Sequence, residues 1–261
     1  MRIVFITGSG RTNGNTERVC NLIQGHLQRL AAEADAGLEI ERISLGKAHL
    51  DMCRGCRICF DRGEEHCPLS DDLAGIKAGM LAADGLVAAT PVYVDDVSGL
   101  TKNWIDRLAH VCHRPEFAGR CAYLVATVGG SPTRHTLDTL TLALSVWGYH
   151  IIGRAGFKTG ARMDAAEIQS RFDAQAEKIA RQLFTAIRER RYARPSFRSL
   201  MTFKIQQLAW AGHQDDSVDL QYWRSRGWID PRRDYYIPQQ SGRVKTTLAR
   251  LAGALLAPFV S

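Results

Sequence analysis

The sequence lacks a long apolar run at its N-terminus, where "MRIVFITGSG" has only a short one before its glycines. This excludes a signal peptide and a membrane span at that end. With no export signal, and with an odd number of cysteines, seven, the chain is not expected to form disulfides. We therefore expect a cytoplasmic protein whose cysteines bind a metal or take part in redox chemistry.

The sequence also lacks internal repeats and low-complexity segments. Its 261 residues, 45% hydrophobic and 23% charged, are ordinary for a soluble globular protein with a sizeable core. The charge is uneven, because residues 1–187 carry 21 basic and 21 acidic side chains while residues 188–261 carry 13 and 6. Such a tail meets nucleic acid, an anionic lipid surface or an acidic redox partner, or it lies over the domain with its arginines solvated.

Strand and helix patterns alternate along the first part of the chain. Apolar runs predict five strands, at 2–7, 38–45, 85–90, 121–128 and 149–157. Helical periodicity predicts helices at 15–34, 70–83, 98–111, 133–148 and 164–191. Asn15 or Thr16 is placed to cap the first helix, and Ser70 to open the second. This alternation predicts an α/β fold with a doubly wound parallel sheet, whose ligand lies at the carboxyl ends of the strands.

The turn after the first strand, "TGSGRTNGNT" at residues 7–16, lacks the marks of two common nucleotide loops. It has no lysine for a P-loop, and Gly8, Gly10 and Gly14 miss the G-x-G-x-x-G spacing by one residue. What remains is a loop of hydroxyls, amides and one arginine that leads into a helix N-terminus. Such a loop favours a single terminal phosphate over a pyrophosphate. An ordinary strand-to-helix turn is the alternative.

The run "DMCRGCRICFDRGEEHCP" (51–68) holds four of the seven cysteines. Cys53, Cys56 and Cys59 are three positions apart, and Cys67 follows after seven intervening residues and precedes Pro68. Structural zinc sites usually pair two separated C-x-x-C turns. Three cysteines in one turn instead suit the iron corners of a cubane, as in ferredoxin runs that end in Cys-Pro. Zinc and free thiols remain as alternatives.

Two motifs carry a resemblance to a known family. The loop "GSGRTNGNT" resembles the FMN-phosphate loop of the flavodoxin-like NADPH-dependent FMN reductases, often written G-S-x-R-x-x-G-N-T. The segment "TPVYVDDVSGLTKNWIDR" (90–107) is similar to that family's second signature, in which a P-x-Y segment borders the isoalloxazine ring. The resemblance spans roughly the first 160 residues. It implies a flavodoxin-like five-stranded parallel sheet in the order 2-1-3-4-5.

The same resemblance implies a set of flavin contacts. The FMN phosphate would be held by Ser9, Arg11, Thr12, Asn13, Asn15 and Thr16. The flavin would be lined by Pro91, Val92, Tyr93 and Val94, although Tyr93 could instead belong to the core. The family's third loop corresponds to "TVGGSPTRH" (127–135), which departs from the usual glycine-rich version and would contribute Gly129 and Gly130.

The cysteine run adds a second resemblance, to the iron–sulfur flavoproteins. These proteins bind FMN and a [4Fe–4S] cluster through a compact cysteine motif between the second strand and the second helix, the interval in which the run lies here. The resemblance implies that the cluster ligands are Cys53, Cys56, Cys59 and Cys67.

These resemblances imply an FMN- and [4Fe–4S]-dependent oxidoreductase that passes electrons from a ferredoxin-like donor or NAD(P)H to oxygen, peroxide or a quinone. A homodimer or homotetramer is implied, with no nucleic-acid partner and no transmembrane segment. We expect a flavodoxin-like domain at 1–192, with the cluster loop at 51–68, and a basic, aromatic-rich extension at 193–261. The alternatives are an NAD(P)H-dependent FMN or quinone reductase without a cluster and a flavin-based redox sensor.

Overall fold

Five parallel strands form the central sheet of the computed structural model, which describes residues 1–160, 163–213 and 216–259. These strands are β1 (Arg2–Thr7), β2 (Glu39–Ser44), β3 (Gly85–Tyr93), β5 (Cys121–Val128) and β6 (His150–Lys158), in the order β2-β1-β3-β5-β6. The short strand β4 (Asp96–Val97) pairs antiparallel with the end of β3. Because β4 is only a hairpin partner, the predicted 2-1-3-4-5 order of the parallel strands is confirmed, and it is the flavodoxin-like order.

Helices cover both faces of this sheet. On one face lie α1 (Asn15–Glu33) and α6 (Ala165–Arg188), and α1 buries Val19, Ile23 and Leu27 at helical spacing. On the other face lie α3 (Leu73–Ala82), α4 (Gly99–Arg107) and α5 (Arg134–Val146). The central strands β3 and β5 read as continuous apolar runs because both of their faces are covered.

The predicted cap of α1 is wrong. Gly14 is the residue before the helix, and no side chain caps it. The two candidate caps make longer-range hydrogen bonds instead. Asn15 Nδ2 donates to Thr159 Oγ1 at 3.0 Å, and the hydroxyls of Thr16 and Thr127 lie 2.7 Å apart. These bonds tie the start of α1 to the ends of β6 and β5.

The predicted start of α3 is also wrong, because the helix begins at Leu73 and not at Ser70. The two acids before it accept hydrogen bonds from the segment that precedes them. Asp72 accepts the N–H of His49 at 2.8 Å, and Asp71 accepts the N–H of Asp51 at 2.9 Å. These long-range bonds hold the entrance to the cysteine run.

The C-terminal extension forms the helices α7 (Phe197–Gly212), α8 (Val218–Ser225) and α9 (Arg243–Leu256). They enclose a small core of their own, made of Leu200, Phe203, Trp223, Trp228, Tyr235, Tyr236 and Ala249. This core is joined to the flavodoxin-like part, since the indole N–H of Trp223 donates to the carbonyl of His113 at 2.7 Å. Among the described residues, no helix is long and apolar enough to cross a membrane.

Candidate functional site

The loop between β1 and α1 (residues 8–14) is clamped from two sides. The Ser98 hydroxyl, at the start of α4, donates to the Gly8 carbonyl at 2.6 Å. A Cβ on Gly8 would lie 1.8 Å from Thr101 Oγ1, so only glycine fits under this helix. On the other side, a Cβ on Gly46 would lie 2.5 Å from the carbonyl oxygen of Ser9. The loop is therefore fixed between α4 and the segment after β2.

The N-terminus of α1 offers main-chain donors to an anion. No side chain caps the helix, so its first-turn N–H groups lack a capping partner. Asn15 and Thr16 commit their side chains to β6 and β5, which leaves their N–H groups as the donors that a phosphate would meet. Asn13, at a left-handed φ of 58°, donates its N–H to the Glu17 carboxylate at 2.6 Å. An uncapped helix end beside an arginine-bearing loop fits a terminal phosphate.

A cavity of about 490 Å³ opens beside this loop at the carboxyl ends of the strands. It is lined by ten of the twelve predicted flavin contacts, namely Ser9, Arg11, Thr12, Asn13, Asn15, Thr16, Pro91, Val92, Tyr93 and Gly129. Tyr93 is 47% exposed, so its assignment to the core is wrong. Val94 and Gly130 do not line the cavity. Val94 is fully exposed, at a φ of 49°, in the turn between β3 and β4.

Several residues of this cavity were missed by sequence reasoning. Thr127 and Val128 lie at the end of β5, and Thr159, Gly160 and Met163 follow β6. No motif marks them, since their residue types are ordinary for strand ends. The available signal was topological, because the carboxyl ends of neighbouring parallel strands meet at one edge of the sheet.

A second cavity, of about 360 Å³, is lined by all four cysteines of the run. Cys53 and Cys56 are exposed, whereas Cys59 and Cys67 are partly buried. Burial raises the pKa of the Cys59 thiol, and the nearby thiols of Cys53 and Cys67 raise it further, against the opposing charge of Arg114. The loop thus brings together the four side chains that the spacing singled out.

The turn through the first three cysteines has the backbone of an anion-binding concavity. Gly55 and Arg57 both lie at a left-handed φ of 63°. Within the part of the chain that the structure describes, the N–H groups of residues 54–57 donate to no protein acceptor. Free N–H groups in such a turn form the concavities found at many iron–sulfur sites.

The cysteine sulfurs are not gathered tightly enough for a single metal ion. Among the described residues, no three cysteine sulfurs lie within 4.8 Å of one another. A tetrahedral zinc ion with bonds of about 2.3 Å would bring its sulfurs to roughly 3.8 Å apart. A cubane binds each thiolate at a separate iron corner and does not require sulfurs this close.

Helix α4 anchors the start of the cysteine run. Asn103 Oδ1 accepts the N–H of Cys53 at 3.1 Å, and Asn103 Nδ2 donates to the Asp51 carbonyl at 3.1 Å. One turn later, Arg107 donates to the same carbonyl at 2.8 Å and forms an ion pair with Asp71 in which both side chains are buried. Burial would raise the pKa of Asp71, but the hydrogen bonds from Arg107 and from the N–H groups of Asp51 and Leu73, with the charge of Arg107, together lower that pKa.

A buried ammonium supports the second half of the run. Lys77 Nζ donates to Glu64 Oε1 at 2.8 Å and to Glu116 Oε1 at 2.7 Å, and lies 3.3 Å from His110 Nε2. Burial would raise the pKa of Glu64, but the hydrogen bond and charge of Lys77 lower it to about 2. Burial and Lys77 lower the pKa of His110 to about 3, so the ring is neutral and accepts from the ammonium. Glu64, His110 and Glu116 each place a ligand atom close enough to the others for a metal ion, but the Lys77 ammonium lies among these atoms.

The C-terminal extension reaches the cysteine run through Arg114. Arg114 donates to Glu64 Oε2 at 2.7 Å and to the carbonyl of Cys59. Its Nε lies 3.0 Å from Asp219 Oδ1 in α8, and both side chains are buried. Asp219 Oδ2 is also 2.7 Å from His113 Nδ1. Sequence reasoning missed this contact, because nothing in "SVDLQYW" (217–223) distinguishes Asp219 from a helix-start acid.

Three iron-sulfur flavoproteins are similar to this chain in sequence. An iron-sulfur flavoprotein of Archaeoglobus fulgidus is 25% identical over 88% of this chain and all of its own length. Another, from Methanocaldococcus jannaschii, is 37% identical over 41% of this chain, and that match spans 51% of the relative. One from Methanosarcina thermophila is 26% identical over 64% of this chain and 85% of its own.

Two solved structures have a similar fold. A flavone reductase superposes with a TM-score of 0.57 at 18% identity, over 75% of this chain and 66% of its own. The NAD(P)H:(acceptor) oxidoreductase FerB of Paracoccus denitrificans superposes with a TM-score of 0.53 at 16% identity, over 72% and 98%. At this identity the likeness shows the fold alone.

The family itself follows from the flavodoxin-like part of the chain. The model of the family described as NADPH-dependent FMN reductase matches residues 1–162, which include the phosphate loop, the cysteine run and the segment at 91–93. The chain therefore belongs to the NADPH-dependent FMN reductase family and is a flavin-dependent oxidoreductase.

Proposed function

We propose that this flavoprotein carries a [4Fe–4S] cluster beside its FMN and moves electrons between a one-electron partner and a small acceptor. The observation that supports this most is the cavity lined by Cys53, Cys56, Cys59 and Cys67, because it brings four thiols together beside main-chain N–H groups that have no protein acceptor. When bound, a cubane supplies single-electron transfer, and FMN takes up two electrons and releases them singly or as a hydride.

On the flavin side, this chain's residues would bind FMN and orient its ring. The N–H groups at the start of α1 and the side chain of Arg11 would hold the phosphate. Pro91, Val92 and Tyr93, at the end of β3, would border the ring. Thr16 and Thr127 hold the floor of this cavity through their 2.7 Å hydrogen bond. Val94 and Gly130 are not part of this proposal, since they lie outside the cavity.

On the cluster side, the chain supplies four thiolates and more basic than acidic side chains. Arg54, Arg57 and Arg107 line the same cavity together with Glu64 and Asp106, and the arginine charges oppose the negative charge of a cluster held by thiolates. Cys53 and Cys56 are exposed, so a cluster here would be reachable by a ferredoxin-like donor or by a second copy of the chain. A homodimer or homotetramer in which one copy's cluster faces another copy's flavin is part of the proposal.

The proposed electron path begins at a ferredoxin-like protein or NAD(P)H and ends on oxygen, peroxide or a quinone. The exposure of Cys53 and Cys56 also suits the alternative, a reductase without a cluster that keeps these thiols for thiol chemistry.

Changing Arg11 to alanine should weaken FMN binding roughly tenfold or more, because a charge-assisted hydrogen bond to the phosphate is lost. The affinity for riboflavin, which has no phosphate, should stay unchanged. Arg198→Ala, at an exposed arginine of α7, is the matched control. Titration of the apoprotein with each flavin, followed by flavin fluorescence, measures both affinities. An equal loss for FMN and riboflavin would show that Arg11 does not contact the phosphate.

Changing Cys56 to serine should remove one thiolate ligand and leave the cluster incomplete or absent, since serine is a poor substitute for a thiolate on iron. FMN content should remain, because the phosphate loop is a separate segment. The variant should lose iron, sulfide and the broad iron–sulfur absorption, and turnover with reduced ferredoxin should collapse.

The control for that variant is Cys20→Ala, at a fully buried cysteine of α1 away from the run. It should keep iron, sulfide and turnover. Wild-type turnover with ferredoxin in Cys56→Ser would take the cluster off the electron path and favour the simple reductase.

Changing Asp219 to asparagine should destabilise the cysteine loop from the extension side. It removes the buried carboxylate beside Arg114 and leaves the partly exposed Glu64 as the remaining acidic partner, which costs on the order of 2 kcal/mol of unfolding free energy. Urea unfolding and the rate of thiol alkylation at Cys59 measure the effect, and both should change while FMN affinity does not. Asp230→Asn, whose exposed carboxylate pairs only with exposed Arg232, should change neither quantity. Equal behaviour of the two variants would show that the extension does not stabilise the cysteine loop.

A further inference from the structure

Helix α9 carries an apolar stripe on its outward face. Val244, Leu248, Leu251 and Leu255 follow one another at intervals of four, three and four residues, and they are 75%, 54%, 57% and 74% exposed. This spacing puts all four on one side of the helix. Phe259, just beyond the helix, is 85% exposed and extends the apolar surface.

The opposite side of α9 packs against the rest of the extension. Thr246, Ala249 and Gly253 are its buried residues, and a Cβ on Gly253 would lie 2.8 Å from the carbonyl oxygen of Met201 in α7. This close approach fixes the rotation of the helix about its axis. The apolar stripe therefore cannot turn inward without breaking the packing of α9 on α7.

A cationic groove runs beside the stripe. A cavity of about 460 Å³ is lined by Lys204, Arg243 and Arg250, and by Leu251 of the stripe itself. Asp234, 3.3 Å from Arg250, is the one acidic side chain among its lining residues within the described chain. Burial and the charge of Arg250 lower the pKa of Lys204. Arg243 has no hydrogen bond or ion pair to its side chain from another described residue.

The charge of this surface indicates whether the apolar stripe binds a second copy of the chain or a lipid surface. The segment 243–261 contains three basic side chains and no acidic one. Two copies of α9 laid together would bring these cations close with no acidic side chain on either helix, and Asp234 compensates Arg250 alone, which opposes self-association. An anionic lipid surface accepts the leucines in its outer apolar layer and supplies phosphates to the groove.

We propose that the α9 face, defined as the stripe Val244, Leu248, Leu251 and Leu255 with the groove of Lys204, Arg243 and Arg250, attaches the protein to anionic membrane surfaces. The leucines enter the boundary between headgroups and acyl chains, and the groove binds headgroup phosphates. The attachment is peripheral and weakens as salt is raised.

The test is sedimentation of the full-length protein with vesicles of phosphatidylcholine alone or mixed with phosphatidylglycerol. The wild type should sediment with the mixed vesicles and far less with phosphatidylcholine alone. The double variant Leu248→Glu, Leu251→Glu should lose more than tenfold in partitioning, because two side chains no longer enter the apolar layer. Arg243→Gln should lose roughly fivefold, on the mixed vesicles only. Leu142→Glu, at a 61% exposed leucine of α5, is the matched control and should partition like the wild type.

Three results would overturn the proposal. The first is a wild type that stays in solution with both kinds of vesicle. The second is a double variant that still sediments like the wild type. The third is a wild-type oligomer, measured by light scattering without lipid, that dissociates in the double variant, since the α9 face would then be a contact between copies.

Discussion

The packing of one short helix, α4 (Gly99–Arg107), on two loops is the constraint on which the rest of the structure depends. Its N-terminal turn holds the phosphate loop through Ser98 and Thr101, which leave room only for a glycine at position 8. Its middle and end hold the cysteine run through Asn103 and Arg107. The helix therefore fixes the flavin cavity and the cysteine cavity relative to each other, and a rigid link of this kind suits a pair of redox centres.

The cysteine run needs this support because it has little structure of its own. It contains one short helix, α2 (Ile58–Asp61), and a single 3-10 turn, and two of its cysteines are exposed. Ion pairs hold the run in place of regular secondary structure: buried Arg107 and Asp71 at its start, and buried Arg114 with the partly exposed Glu64 at its end. The extension contributes Asp219 to the second pair, so the tail takes part in holding a site that lies far from it in sequence.

Much of the fold could be predicted from the sequence, because apolar periodicity dictates which faces are buried. The five strands and their helices follow from local patterns, and ten residues of the flavin cavity were implied by the family resemblance, whereas Thr127, Val128 and the residues after β6 were not. The cap of α1 and the start of α3 were predicted wrongly because Thr16 and Asp72 bond to groups that are distant in the chain. Asp219 was missed for the same reason, since the position of α8 relative to Arg114 is set by tertiary packing.

The most direct test of the account is to purify the protein without oxygen and to measure its FMN, iron and acid-labile sulfide together with its absorption spectrum. The account predicts one FMN for each [4Fe–4S] cluster and a broad iron–sulfur absorption over the flavin bands. FMN without iron and sulfide, with zinc or four free thiols in the cysteine cavity, would contradict it.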